Sequence, residues 1–323
     1  MKKVDIKVYR GYVNDEEIIV FGHVFRSRGP DSFALDTTGL RHARSVVRMF
    51  RLTPISNAQV TFCFRNWEVT SKTTYDGYFR FTLPYKHPLQ SGWHSYSIRC
   101  QVDGTSVEKT GEVLKPYKSQ LGIISDIDDT FLISYSKRVF KKLYVMLFRN
   151  VNRRKIFDEV VDHYKALSQA GQDSPEASNA FFYVSSSEWN LYPLITRFAQ
   201  LHGLPKAVIK LKKIKTSLLD FFASGRGNHD HKFIKIKDII TFYPQLTYVL
   251  LGDDSQHDPY LYERVCKHFP LSVRAIYIRQ TSSRRNPRVV KTLENIESLN
   301  VATCYFSNSG EAIAHSQKIG IIK

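Results

Sequence analysis

Hydrophobic and polar positions change their pattern near residue 117. Before it, short segments rich in β-branched and aromatic residues are separated by turn residues, as at Asp76-Gly77. This pattern is typical of strands joined by tight turns and predicts a small all-β sandwich. The predicted strands are 4–9, 17–25, 59–64, 78–83 and 93–102. One arginine-bearing helix is predicted among them, over 40–52, with its charges in solvent.

After a linker that contains Pro116, predicted strands alternate with predicted helices. Alternation of this kind favours a parallel, doubly wound, Rossmann-like sheet in an α/β fold. We therefore expect a β-sandwich domain over 1–117, accessory to an α/β domain over 118–323. The predicted strands are 121–124, 181–187, 207–211, 247–254 and 273–278, and the predicted helices are 192–201, 232–242 and 258–269.

Polar residues follow three of these apolar strands. The first strand leads to Asp126, Asp128 and Thr130, the second to Ser185 and Ser186, and the third to Gly252, Asp253, Asp254 and Asp258; Lys232 opens the helix before the third strand. Because ligands of open α/β sheets bind at the carboxyl ends of strands, these side chains are expected to meet at one edge.

The expected chemistry at this edge is phosphoryl transfer. One carboxylate can attack phosphorus, a second can move a proton, and carboxylates together can hold a hard divalent cation such as Mg²⁺. Serine hydroxyls can bind phosphate oxygens, and a lysine can offset the negative charge. Each part has an ordinary structural alternative, since Asp favours turns, Ser caps helices and Lys is a common surface residue.

The net charge of the chain indicates which classes of partner it can bind. Forty-seven Lys and Arg against 30 Asp and Glu give +17, which indicates an anionic partner such as a phospholipid surface, nucleic acid or a phosphorylated substrate. Four scattered cysteines indicate neither a disulfide framework nor a zinc site. With no secretory signal or membrane-spanning run, we expect a cytoplasmic protein that binds membranes peripherally at most.

The order of these motifs resembles the haloacid dehalogenase-like phosphohydrolases. Two longer segments, at 181–192 and 250–259, are similar to the actin-patch-type phosphatidate phosphatase family, including its bacterial members. The resemblance covers about 121–279. It implies a haloacid dehalogenase-like catalytic domain that requires Mg²⁺ and hydrolyses the phosphomonoester of phosphatidate to diacylglycerol and phosphate.

The resemblance also implies roles for individual residues. Asp126 would be the nucleophile that forms an aspartyl-phosphate, and Asp128 the general acid and base. Substrate phosphate would be bound by Thr130, Ser185 and Ser186, with Lys232 balancing charge. The Mg²⁺ ligands would come from Asp126, Asp128, Asp253, Asp254 and Asp258, the last two as supporting candidates. Lys235 and Lys237 lie close enough in sequence to replace Lys232.

A basic insert, about 134–160, separates the first two motifs. Apolar residues recur at helical spacing between lysines and arginines, a pattern typical of an interfacial membrane helix and equally of a packed amphipathic helix. Alternative functions are a phosphatase acting on a nucleic-acid end or a phosphoprotein, or a membrane-binding adaptor. The sequence contains no recognisable nucleic-acid-binding module, so nucleic acid is not the expected partner. Oligomeric state is not predicted.

Overall fold

The computed structural model describes residues 3–27, 52–117, 121–127, 151–174, 176–212, 230–255 and 257–323, with backbone alone for 151–159 and 230. The protein is of mixed α/β class and divides into two compact units. One holds residues up to Pro116 together with Glu188–Pro193, and the other holds most of the chain from Tyr117 onward. The predicted boundary at 117 remains a prediction as a domain limit. The predicted helix over 40–52 lies outside the described residues, apart from Leu52.

The first unit contains eight strands in one curled sheet. They are β1 (Lys3–Val13), β2 (Glu17–Ser27), β3 (Thr53–Pro54), β4 (Gln59–Phe64), β5 (Trp67–Lys72), β6 (Tyr78–Pro84), β7 (Gly92–Val102) and β8 (Thr105–Lys115). The order is β3-β2-β1-β8-β7-β4-β5, with β6 paired to β2. Where two sheets were expected, the described strands form one.

Alternating side chains build the core of this unit. In β4, Val60, Phe62 and Phe64 are buried while the residues between them are not. This is the period of a strand with one face on a core, and the apolar faces of the other strands complete it. Strand neighbours are antiparallel, except that β1 runs parallel to β8.

The second unit is built on a six-stranded sheet whose strand order is β11-β10-β9-β12-β13-β14. Its strands are β9 (Leu121–Asp126), β10 (Ala180–Glu188), β11 (Ala207–Lys212), β12 (Thr247–Asp253), β13 (Val273–Arg279) and β14 (Ala302–Phe306). The pairings from β10 through β14 are parallel. β9 is buried at every position and β12 at all but its first, as expected for central strands.

Six α-helices are described in this part of the chain. They are α1 (Val151–Gln169), α2 (Tyr192–Leu201), α3 (Asp230–Phe242), α4 (Asp258–His268), α5 (Pro287–Glu297) and α6 (Ser309–Lys318). α2, α3 and α4 confirm predicted helices. α1 was not predicted as a helix, and its first residues are the end of the predicted basic insert. The remainder of that insert, up to Asn150, lies outside the described residues. Among the described helices, none combines the length and apolar character that a bilayer crossing requires.

Candidate active site

Three aspartates meet at the carboxyl edge of the parallel sheet. Asp126 ends β9, Asp253 ends the neighbouring strand β12, and Asp258 begins α4. Their side chains are buried, with 2%, 0% and 1% of the residue surface exposed, and they offer carboxylate oxygens that all lie within 4.8 Å of one another. Three carboxylates this close repel one another unless cations compensate them.

The donor set of this cluster fits a metal ion. Oxygen ligands from carboxylates suit hard divalent cations. Within the described residues, Asp258 Oδ2 is buried without a hydrogen-bond partner. A buried charged oxygen left in this state is costly, and a bound cation would remove that cost. The three aspartates can therefore hold a metal ion.

Lys232 supplies a positive charge to the same cluster. Its Nζ lies 3.0 Å from Asp126 Oδ1 and 3.0 Å from Asp258 Oδ1. Lys232 is 3% exposed, so these contacts are shielded from solvent. It lies in the first turn of α3, which directs its side chain to the strand ends. Lys235, one turn later, instead donates to the Ser185 carbonyl at 2.7 Å.

Gly252 explains why the third acid can approach the sheet. A Cβ at this position would lie 2.8 Å from Asp258 Oδ2, 2.9 Å from Asp258 Cβ and 3.0 Å from Tyr262 Cε2. A real side chain would displace Asp258 or Tyr262, because packed atoms do not approach this closely. Gly252 therefore allows α4 to bring its first residue against the end of β12.

The two serines that were predicted to bind phosphate lie in β10, the strand next to β9 and Asp126. β10 pairs with β9 so that Val184 lies opposite Asp126, and Ser185 and Ser186 follow directly. Ser185 is fully buried and its Oγ accepts a hydrogen bond from the Ser187 amide at 2.8 Å, while Ser186 is half-buried. The structure places both at the expected edge, and their binding role stays a prediction.

Asp254 has different partners from its neighbour Asp253. Its Oδ1 accepts hydrogen bonds from the Thr281 amide at 2.8 Å and the Thr281 hydroxyl at 2.5 Å, and its Oδ2 from the Tyr305 hydroxyl at 2.5 Å. Burial is the main cause that raises the pKa of Tyr305 to about 12, so its hydroxyl stays a donor. Asp254 thus ties the site to β13 and β14 and is not a member of the three-aspartate group.

Two buried tyrosines beside the site were not predicted. The Ser125 hydroxyl donates to the Asp126 carbonyl at 2.8 Å, so the Tyr164 hydroxyl at 2.7 Å is left to donate to Ser125. Tyr262 donates to the Leu251 carbonyl at 2.8 Å; burial and then the Asp258 charge raise its pKa well above the ordinary value. In the sequence, the signal for Tyr164 was the helical spacing of apolar residues at 160, 161, 164 and 167. All four are buried in the structure. Asp128 and Thr130 lie outside the described residues.

The segment that contains the site matches a known family. Residues 121–280 match the family described as "Phosphatidate phosphatase APP1, catalytic domain". A relative, phosphatidate phosphatase APP1 of Saccharomyces cerevisiae, is 28% identical over 186 residues, which are 58% of this chain. The chain spans 30% of that relative's length. The family predicted from the motifs is confirmed.

Solved structures overlay on the chain only loosely. A carbohydrate acetylesterase from Xanthomonas citri has a TM-score of 0.32 at 9% identity and covers 97% of this chain and 72% of its own. The PilB minor pilin from Streptococcus sanguinis also has a TM-score of 0.32, at 11% identity, over 83% of this chain and 89% of its own. Overlays at this level carry no argument about fold or function.

Proposed function

We propose a function from one premise: residues 121–280 belong to the phosphatidate phosphatase APP1 catalytic-domain family. The protein is proposed to be a Mg²⁺-dependent phosphatase that hydrolyses the phosphomonoester of phosphatidate, or of a related anionic lipid, to an alcohol and phosphate. The carrying observation is the buried Asp126, Asp253 and Asp258 group with Lys232 in contact with two of its members. We further propose that residues 118–323 form a haloacid dehalogenase-like domain.

The proposed reaction proceeds in two displacements. A carboxylate oxygen of Asp126 forms a bond to phosphorus as the bond between phosphorus and the lipid oxygen breaks, and Asp128 gives that oxygen a proton. Asp128 then takes a proton from water, whose oxygen attacks phosphorus, and the aspartyl-phosphate bond breaks to regenerate Asp126. Covalent catalysis of this kind divides one difficult step into two easier ones.

Other residues position charge and substrate for these steps. Asp126, Asp253 and Asp258 would hold the Mg²⁺, which when bound neutralises charge on the phosphate oxygens. Lys232 lowers the repulsion between Asp126 and an incoming phosphate. Ser185 and Ser186 would donate hydrogen bonds to the remaining phosphate oxygens. With its lipid substrate in a membrane, the enzyme is proposed to act in the cytoplasm as a peripheral membrane protein.

The test is phosphate release from phosphatidate in mixed micelles, with Mg²⁺ or with EDTA. Wild type should release phosphate only with Mg²⁺, and Asp126→Asn should lose at least about 1,000-fold because its nucleophile is absent. Asp254→Asn is the matched control, since Asp254 bonds to Thr281 and Tyr305. It should keep the Mg²⁺ dependence of the wild type.

Parallel substrates separate this function from its alternatives. Release from an aryl phosphate but not from lipid, lost in Asp126→Asn, would keep the mechanism and reject the substrate. Preferred release from a DNA 3′-phosphate or a phosphopeptide would identify one of those substrates instead. No release from any of them, with vesicle binding retained, would indicate the membrane-binding adaptor.

A further inference from the structure

A second concentration of positive charge begins at the end of the family-matched region. From Arg279 to Leu293 the chain contains five basic residues and no Asp or Glu. Three of the five, Arg284, Arg285 and Arg288, are exposed and close together in sequence. We call these three residues the arginine rim. They occupy the loop after β13 and the first turn of α5, so they lie at the carboxyl edge of the sheet.

Hydrogen bonds fix this loop to the active-site loop. Thr281, near the start of the loop, donates to Asp254, the residue after Asp253. At the other end, Arg285 donates to the Tyr305 carbonyl at 2.9 Å and lies 5.3 Å from the centre of the Tyr305 ring, while the Tyr305 hydroxyl donates to Asp254. The arginine rim is therefore held beside the three-aspartate site.

Two charges of the rim, on Arg284 and Arg288, remain available to a partner. Within the described part of the chain, neither Arg284 nor Arg288 forms an ion pair with a carboxylate, whereas Lys267 pairs with Glu263 at 2.7 Å. Their backbones are ordered by local bonds, including one from the Arg288 amide to Asn286 Oδ1 at 3.0 Å. Guanidinium groups present planar donors that bind phosphate oxygens in pairs.

Apolar side chains at the same edge indicate which anionic partner fits. Ile234 in the first turns of α3 is 50% exposed, and Tyr260 in the first turn of α4 is 38% exposed. Exposed aliphatic and aromatic side chains beside arginines suit a lipid interface, where apolar groups enter the acyl boundary and cations contact headgroups. Stacking platforms for nucleic-acid bases would require several aromatic faces instead.

We propose that the arginine rim docks the carboxyl edge of the catalytic unit onto an anionic phospholipid surface, with the guanidinium groups of Arg284 and Arg288 on headgroup phosphates. This inference rests on the proposed lipid phosphatase function, because docking at this edge directs the active site to its substrate. It assigns membrane recognition to described residues that are distinct from the basic insert.

The experiment compares two double variants of the full chain by vesicle sedimentation. Arg284→Gln/Arg288→Gln removes two charges from the rim; Lys267→Gln/Lys318→Gln removes two exposed charges at the far ends of α4 and α6, at the opposite edge of the sheet. Phosphatidylcholine vesicles with and without phosphatidate are the probe. Partition onto the phosphatidate vesicles should fall about 10- to 30-fold for the rim variant, since each cation near an anionic membrane contributes about 1 kcal/mol, and less than about threefold for the control.

Three results would overturn the inference. Equal losses in both variants would mean that net charge alone drives binding, and no loss in either would mean that the rim does not touch lipid. Rim-dependent binding of a single-stranded RNA, without binding of vesicles, would assign the rim to nucleic acid. Two controls separate a loss of lipid binding from misfolding. One is thermal melting of each variant. The other is Arg284→Lys/Arg288→Lys, which keeps the charge and should retain binding. Rim-dependent vesicle binding without phosphate release would reject the proposed function and would still support docking by the arginine rim.

Discussion

Replacing Lys232 by methionine tests whether this lysine, and not a neighbour, neutralises the site. Its ammonium lies 3.0 Å from oxygens of Asp126 and of Asp258. At this separation and an effective dielectric constant of about 20, each contact supplies about 5 kcal/mol of Coulomb attraction before desolvation is subtracted. Removal of one member of a buried ion pair typically costs about 3–5 kcal/mol. We expect the free energy of unfolding to fall by that amount in urea titrations with EDTA present.

Phosphate release should respond as strongly as stability. Without the ammonium, an anionic phosphate meets the full charge of Asp126, and loss of one electrostatic contact of this kind costs about 100- to 1,000-fold in kcat. The measurement is initial-rate phosphate release from phosphatidate micelles at saturating Mg²⁺, after circular dichroism confirms that the variant is folded at the assay temperature.

Lys235→Met provides the matched control. This variant removes a cation three residues away on the same helix, together with its hydrogen bond to the Ser185 carbonyl. It should cost about 1–3 kcal/mol of stability and less than about tenfold in kcat. A larger kcat loss for Lys235→Met than for Lys232→Met would refute the assignment, and so would full activity in Lys232→Met.

Three further substitutions test individual contacts. Gly252→Ala should displace Asp258, because the new Cβ would lie 2.8 Å from Asp258 Oδ2. The variant should therefore need a higher Mg²⁺ concentration for half-maximal phosphate release, and an unchanged Mg²⁺ titration would contradict this geometry. Burial lowers the pKa of His163 from 6.5 to about 4. As the pH falls, the imidazole is therefore protonated in the unfolded chain before it is protonated in the folded protein. The stability that the neutral imidazole contributes, about 3 kcal/mol, is complete above pH 6.5 and is lost as the pH falls towards 4. His163→Gln should flatten this acid limb in urea titrations across pH 4–7, and parallel curves would exclude it as the cause. Tyr164→Phe removes the hydrogen-bond donor to Ser125, so it should lower the free energy of unfolding by about 1 kcal/mol and should lower kcat while KM stays unchanged. A change confined to KM would instead indicate that Tyr164 contacts the substrate.

Local pattern sufficed to predict the elements that carry the site. The apolar runs behind β9, β10, β12 and β13 predicted strands because central parallel strands are apolar on both faces. The meeting of Asp126, Asp253 and Asp258 followed from the rule that ligands collect at carboxyl strand ends. The family resemblance added chemical roles that spacing alone left open.

Sequence patterns could not predict contacts between residues that are distant in sequence. Asp254 and Asp258 were equal candidates to support the metal, and only the contacts with Thr281 and Tyr305 show that the Asp254 oxygens are used elsewhere. α1 was not predicted as a separate helix because its first residues were included in the basic insert, whose pattern fits a membrane helix and a packed helix equally. The curling of the first eight strands into one sheet depends on strand partners, which alternation does not specify.

The strand order of the parallel sheet has a consequence for how the protein is made. β9 is the first of the six strands to be synthesised, yet it lies in the interior of the sheet between β10 and β12. On the ribosome, Asp126 emerges long before Lys232, Asp253 and Asp258, and its neighbours join it from both sides afterwards. Pairing over such sequence distances is slow because a long loop must close first. The three-aspartate site can therefore assemble only after β12 and α4 have been synthesised and have joined β9.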